Sequence, residues 1–209
     1  MTEHAPPAST KRGITVVLAV LVLLVGAVLV ALTAFRSGDP GTGDPEAGFA
    51  RDMSSHHAQA VRMSFLVRDG TDDAEVRLLA YDIINTQSAQ IGMMTGWLDE
   101  WGLPKTDPAG PMRWMSGHGG GHRGAAAMPG MATREQLAEL ERASGRAAEV
   151  QYLRLMVAHH RGGVAMAEAV LARTGHDRVR RLARTMVTGQ RAEIAQMNRM
   201  LLQRGGTAA

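Results

Sequence analysis

Residues 53–63 read MSSHHAQAVRM, and residues 156–166 read MVAHHRGGVAM. Both are Met-x-x-His-His-x-x-x-Val-x-Met, 103 residues apart. Working outward without a gap, residues 49–102 align with residues 152–205, and 18 of the 54 aligned positions are identical. A repeat of this kind is one supersecondary unit used twice. Each copy holds two helical stretches, residues 45–68 and 72–101 in the first and 147–173 and 177–204 in the second. The turn signals Asp69-Gly70-Thr71 and Thr174-Gly175-His176 separate them. Val76, Ala80, Ile83, Gln87, Ile91, Met94 and Leu98 fall on one helical stripe, and Val179, Ala183, Met186, Gln190, Ile194, Met197 and Leu201 repeat it. Two hairpins that each bury one face predict an all-α four-helix bundle with pseudo-twofold symmetry over residues 49–205.

The repeated words carry chemistry as well as architecture. On a helix turning about 100° per residue, Met53, His56, His57, Ala60 and Met63 lie within an arc of about 120°. Met156, His159, His160, Gly163 and Met166 do the same. This face should look into the bundle, with Ala60 and Gly163 leaving room beside the imidazoles. Neutral imidazole and thioether together suit a soft monovalent ion, Cu(I) or Ag(I). Structural zinc normally adds Cys, and the chain has none. The plainer alternative is a pair of hydrogen-bonded core histidines beside methionines that fill space. Recurrence in register with the flanking Met favours the metal. Adjacent residues on a helix point about 100° apart. One imidazole of each pair is therefore expected to ligate while its neighbour packs or supports it.

The link between the copies, residues 103–132, is rich in Gly and Pro and carries Met112, Met115, His118, His122, Met128 and Met131. Such a segment has little to pack, and glycine lets a loop wrap an ion, so these six are a second set of candidate ligands. A tether with incidental Met and His is the equal alternative. Trp114 either covers an ion or anchors the loop. Thr133 with Gln136 has the pattern of a capping box, which predicts a short helix from Arg134 to about Arg142.

Residues 14–35, ITVVLAVLVLLVGAVLVALTAF, form an uncharged run of 22. As a helix this run is about 33 Å long, enough to cross a bilayer. Lys11 and Arg12 precede it, so residues 1–13 should stay cytoplasmic and everything after the run should lie outside. A cleaved signal peptide, leading to secretion, is the alternative, but its apolar core is usually only about 7–15 residues. Residues 36–48, rich in Gly, Pro and Asp, read as a flexible tether. The net charge is +3, with 23 basic residues interspersed among 20 acidic ones. No basic block of nucleic-acid type appears.

The two His-His motifs, the intervening Met128-Pro129-Gly130-Met131 and the following Leu137 and Leu140 resemble the bacterial family known as domain of unknown function 305. The resemblance covers residues 49–205. It implies a ferritin-like four-helix bundle, export or membrane anchoring and, for some members, copper binding and tolerance. Carried over by position, it implicates Met53, His56, His57, Met63, Met128, Met131, Met156, His159, His160 and Met166.

The expected function is a membrane-anchored extracytoplasmic protein that binds Cu(I) or Ag(I) for buffering or tolerance, and not an enzyme. Its partners would be the metal ion and, through the N-terminal helix, the membrane. The alternative is a metal-free helical interaction module docking on an envelope partner. Di-iron chemistry needs Glu-x-x-His on two helices, and hydrolytic zinc chemistry His-Glu-x-x-His. Neither occurs in the chain.

Overall fold

The computed structural model describes residues 14, 16–28, 38–115 and 128–209. The chain divides into two units, Met1–Asp39 and Pro40–Ala209. In the first, residues 14 and 16–28 are helical and their large apolar side chains are exposed. Among the described residues, no helix is long and apolar enough to cross a membrane. The expected span 14–35 includes residues 15 and 29–35, which lie outside the described residues, as do residues 1–13 with Lys11 and Arg12.

The second unit is built from α1 (Pro45–Gly70), α2 (Ala74–Glu100), a 3-10 turn at Arg113–Met115, α3 (Arg134–Arg142), α4 (Gly145–Leu171) and α5 (Asp177–Gln203). No strand occurs among the described residues. Local chemistry starts each helix. Pro45 opens α1 with a backbone angle already helical. The Asp73 carboxylate accepts the Val76 N–H at 2.9 Å to cap α2. Thr133 and Gln136 cap α3 reciprocally, as their spacing predicts.

Helices α1 and α2 form one hairpin, α4 and α5 the other, and the hairpins meet through α1 and α4. The short α3 lies against both of those inner helices. The contacts across the join run in opposite order, so α1 and α4 are antiparallel. Glu46 near the start of α1 meets Thr174 just beyond the end of α4, at 2.5 Å. Ser64 meets Tyr152 at 2.9 Å, and Thr71 meets Glu149 at 2.7 Å. In both hairpins the turn threonine donates to a glutamate of the other repeat, while its oxygen accepts the N–H two residues on. The structural repeat therefore reaches back to Glu46 and Glu149, beyond the stretch from Phe49 and Tyr152.

The two ends close differently. Arg204, 4% exposed at its side chain, binds Glu149 at 2.7 Å and Asp73 at 2.8 Å. At the opposite end the equivalent places hold Trp101 and His176, whose rings meet edge-on at 5.5 Å.

Two apolar clusters make the core. Met63, Met156, Met197, Met200, Ile83 and Leu201 belong to one. Met53, Met94, Met166, Met186, Phe49 and Leu98 belong to the other. Between them, along α1 and α4, come His56, His57, His159 and His160. The outer helices bury Gln87, Gln90 and Gln190, while Ile91 and Ile194 of the expected stripe are only half-buried. The bundle is thus apolar, polar, apolar along its length.

Removing Glu149 takes one carboxylate from the buried Arg204 and leaves it Asp73, so the cost stays below the ~3 kcal/mol of a stranded buried charge but adds to the loss of the Thr71 acceptor. Removing the acceptor of a buried hydroxyl costs about 1–2 kcal/mol. Glu149→Ala should therefore destabilise the bundle more than Glu46→Ala, measured by urea unfolding. Equal losses would show that Arg204 does not depend on Glu149.

Candidate metal centre

The four motif imidazoles are buried to within 1%. They divide into two kinds, as the 100° helical step requires. His56 and His159 point at each other across the α1–α4 join, with ring centroids 3.7 Å apart and planes inclined by 32°. His57 and His160 turn toward the outer helix of their own hairpin. Within each pair the ring centroids are 6.4 Å and 6.3 Å apart.

Every Nε2 has an oxygen to receive its proton. His56 donates to the Pro129 carbonyl at 3.0 Å, and His159 donates to the His56 carbonyl at 3.0 Å. His57 donates to Gln90 Oε1 at 2.7 Å, and His160 to Glu193 Oε2 at 2.5 Å. A neutral imidazole protonated at Nε2 carries its lone pair on Nδ1. The Nδ1 atoms of His56, His57 and His160 are buried without a hydrogen-bond partner. An imidazole whose N–H is held by a carbonyl or carboxylate while its other nitrogen is free is oriented as metal-ligating histidines are.

Burial keeps His56, His57 and His159 neutral. Loss of water pushes His56 down to about 4, from an ordinary 6.5, with the Pro129 hydrogen bond opposing. Burial first, and the neighbouring His56 second, push His57 down to about 3. His159 is lowered well below 6.5 by the same burial and by the other three imidazoles. Burial likewise raises the Tyr152 phenol, so it stays a hydrogen-bonding hydroxyl against Ser64.

The thioethers flank this layer. Met53, Met63, Met156 and Met166 are fully buried. Met53 and Met166 share one apolar cluster, Met63 and Met156 the other. Among the described residues, no three His, Asp or Glu side chains are arranged to hold a metal ion.

The loop approaches the layer from one side. A Cβ on Gly162 would lie 1.9 Å from the Pro129 carbonyl oxygen, and one on Gly130 would lie 2.3 Å from that of Ala158. Gly130 also has φ +76°, a left-handed conformation that glycine accepts. These two glycines let the 128–131 turn lie directly on α4 and deliver the Pro129 carbonyl to His56. Gln59, equivalent to Gly162 in the first repeat, clamps the backbone of Ala132 instead.

Met128 and Met131 are half-buried there. Met112 is buried and Met115 half-buried, and both pack on the cluster that holds Met53. His118 and His122 lie outside the described residues. Trp114 anchors the loop: its ring lies where a Cβ on Gly48 would stand, and it meets Phe49 edge-on at 5.9 Å. The buried Asp52 carboxylate accepts the Trp114 indole N–H and the Met112 N–H, each at 2.8 Å. Burial raises the Asp52 pKa, against these two hydrogen bonds.

Gln90, Glu193 and the Pro129 carbonyl are the site groups that sequence reasoning does not single out. A signal exists for two of them. Gln90 and Glu193 each stand 33 residues after the histidine they hold, at equivalent places of the repeat.

The sequence profile described as Domain of unknown function (DUF305) matches residues 46–201. A DUF305 protein from Streptomyces coelicolor, assigned as secreted, superposes with TM-score 0.75 at 51% identity, over 81% of this chain and 99% of its own. A DUF305 fragment from Deinococcus radiodurans gives 0.63 at 35% identity, over 76% and 96%. CopM in its Cu(II)-bound form gives 0.57 at 26% identity, over 75% and 95%. Comparison with curated proteins finds no match.

The unfolded state protonates its imidazoles near the ordinary 6.5, whereas folded His56 and His57 wait until about 4 and 3. Between these values the unfolded state binds more protons, so stability rises with pH. It should be complete above 6.5 and fall by about 1.4 kcal/mol per pH unit for each such imidazole as the solution is acidified. Urea midpoints from pH 7.5 to 4.5 should show this slope, and His57→Gln should make it shallower. A profile unchanged by that substitution would contradict a buried neutral His57. Separately, Gly162→Ala should cost about 1–3 kcal/mol by forcing the 128–131 turn off α4. An unchanged melting temperature would show that the turn yields freely.

Proposed function

The chain belongs to the DUF305 family, and on that premise we propose that it is a non-catalytic extracytoplasmic protein that binds Cu(I) or Ag(I). The observation that carries the reading is the set of unpartnered, buried Nδ1 atoms on His56, His57 and His160, each opposite an anchored Nε2. Leaving a polar nitrogen unpaired in a core costs stability. A ligand that uses the lone pair removes that cost. Soft monovalent ions accept as few as two donors, so one imidazole and a nearby thioether suffice without a cluster of three His, Asp or Glu, which the described residues do not hold. Met53, Met63, Met156 and Met166 are the thioethers on the same two helices. The Cu(II)-bound CopM relative supports copper as the metal, though not its monovalent state, and the description of the Streptomyces coelicolor relative as secreted supports the location.

In this reading the N-terminal run 14–35 holds the bundle at the outer face of the membrane; the expected tether 36–48 is shorter than its bounds, because Pro45–Gly48 already belong to α1. His118 and His122 would add donors from the loop. The physiological task is buffering or tolerance rather than catalysis. The buried Asp52 is committed to Met112 and Trp114, which leaves it unavailable as a general base. A metal-free interaction module is the second reading, favoured by the internal hydrogen bond that every Nε2 makes.

Titration of the full chain with Cu(I) or Ag(I) against a colorimetric chelator tests the proposal. The protein should compete, and His57→Ala combined with His160→Ala should weaken binding more than about tenfold. His118→Ala with His122→Ala measures the loop's share. Failure of the full chain to compete for either ion sinks the metal reading in favour of the interaction module.

A further inference from the structure

The two halves of the polar layer differ in one charge. His57 and His160 are equivalent in the repeat, equally buried, and both leave Nδ1 unpartnered. Each donates an Nε2–H hydrogen bond to the residue 33 positions later, on the outer helix of its own hairpin. For His57 that acceptor is the neutral amide of Gln90, and for His160 it is the carboxylate of Glu193. The side chains are nearly the same size, so packing does not explain the difference.

A carboxylate held against one imidazole nitrogen raises the donor strength of the other. It also matters for the ion's own charge. A monovalent cation entering a buried layer is penalised unless a negative charge lies close by. Glu193 supplies one through a single ring, with 24% of its side chain still exposed. Gln90 supplies none. A second difference is one of space. Gly163 stands where the first repeat has Ala60, and Gln190 fills the space its missing side chain leaves, with Oε1 only 2.4 Å from the position of a Cβ. The unpartnered Oε1 of Gln190 itself recurs at its counterpart Gln87, so it is common to both halves and the charge of Glu193 is what separates them.

We infer, building on the metal-binding reading above, that the layer takes one soft monovalent cation per chain, through Nδ1 of His160, with Glu193 as the positioning and charge-balancing residue. The His57–Gln90 half is then the structural member of the pair. The duplicated motif gives two imidazoles of equal geometry and only one with a built-in counter-charge.

Silver nitrate titrated into the full chain tests this, with His118→Ala and His122→Ala present throughout so that loop imidazoles do not contribute. Calorimetry reads affinity and stoichiometry, and imidazole nitrogen NMR reads which ring is engaged. The expected result is one ion at the layer, a shifted His160 Nδ1 and an unshifted His57. Glu193→Gln keeps an acceptor oxygen for His160, so circular dichroism should be unchanged while affinity falls about tenfold or more. Gln90→Glu should add a second ion, and the double exchange Gln90→Glu with Glu193→Gln should move the shift to His57. Equal shifts of His57 and His160, or wild-type affinity in Glu193→Gln, would overturn the inference while leaving metal binding intact. Silver binding with no imidazole shift at all would overturn both.

Discussion

The bundle is organised around the crossing of α1 and α4, where His56 and His159 stack with centroids 3.7 Å apart. Two imidazolium rings at that distance would repel strongly away from water. The pair exists because burial holds both rings neutral. A neutral ring still has one N–H to satisfy, and the fold answers with the Pro129 and His56 carbonyls. Sliding α1 along α4 would break those bonds together with Ser64–Tyr152 and both Thr–Glu contacts. The polar layer thus sets the register of the inner helices, and the apolar clusters on either side fill in around it. Hydrophobic burial alone would tolerate several registers, because Met adapts to many neighbours.

The same crossing explains why the link between the hairpins is ordered at both described ends. One end is fixed by Asp52, which draws the Met112 and Trp114 N–H groups into the bundle and holds Met112 at φ +65°. Such an angle is uncommon for a residue with a side chain, and two hydrogen bonds to one carboxylate oxygen oppose its relaxation. Arg51, one residue earlier, ties the Pro104 carbonyl to Thr42 and so gathers the chain before α1 and after α2. The other end is the 128–131 turn against Gly162. Both anchors lie on inner helices, Asp52 on α1 and Gly162 on α4.

Much of this was legible in the sequence, and what was not has physical reasons. The repeat revealed two hairpins because identical core positions at a fixed offset survive only where the same packing recurs, as with Val76 and Val179 or Met94 and Met197. The Thr133–Gln136 box located α3 because capping is local. Glu46 and Glu149 were missed because they begin helices outside the densest identities, although they too match at the same offset. The role of Trp114 was illegible: its partner Asp52 has Leu155 as its counterpart, so no recurrence marked it. The division of labour within each His pair followed from helical geometry, but its partners lay on other helices. Ile91 and Ile194 obey the stripe and still sit half-exposed, because Gln90 and Glu193 are drawn inward to meet the imidazoles.

A duplicated frame offers a control inside a single molecule, because each position has a counterpart in the same fold. At the ends of the bundle, Arg204 with Asp73 stands where Trp101 with His176 stands in the other copy. An ion pair and an edge-on ring pair are different chemistry, yet each closes an end over a glutamate bound to a turn threonine. The exchange there alters the means and keeps the role. In the middle layer the exchange is narrower. Gln90 and Glu193 accept the same proton from equivalent rings at nearly the same distance, so hydrogen bonding and packing are already accounted for in both copies. What remains after that subtraction is one negative charge beside a buried lone pair. A carboxylate makes the stronger hydrogen bond to its own ring, while His57 is held by a neutral amide. In the proposed reading the same charge would also serve a cation at the neighbouring nitrogen.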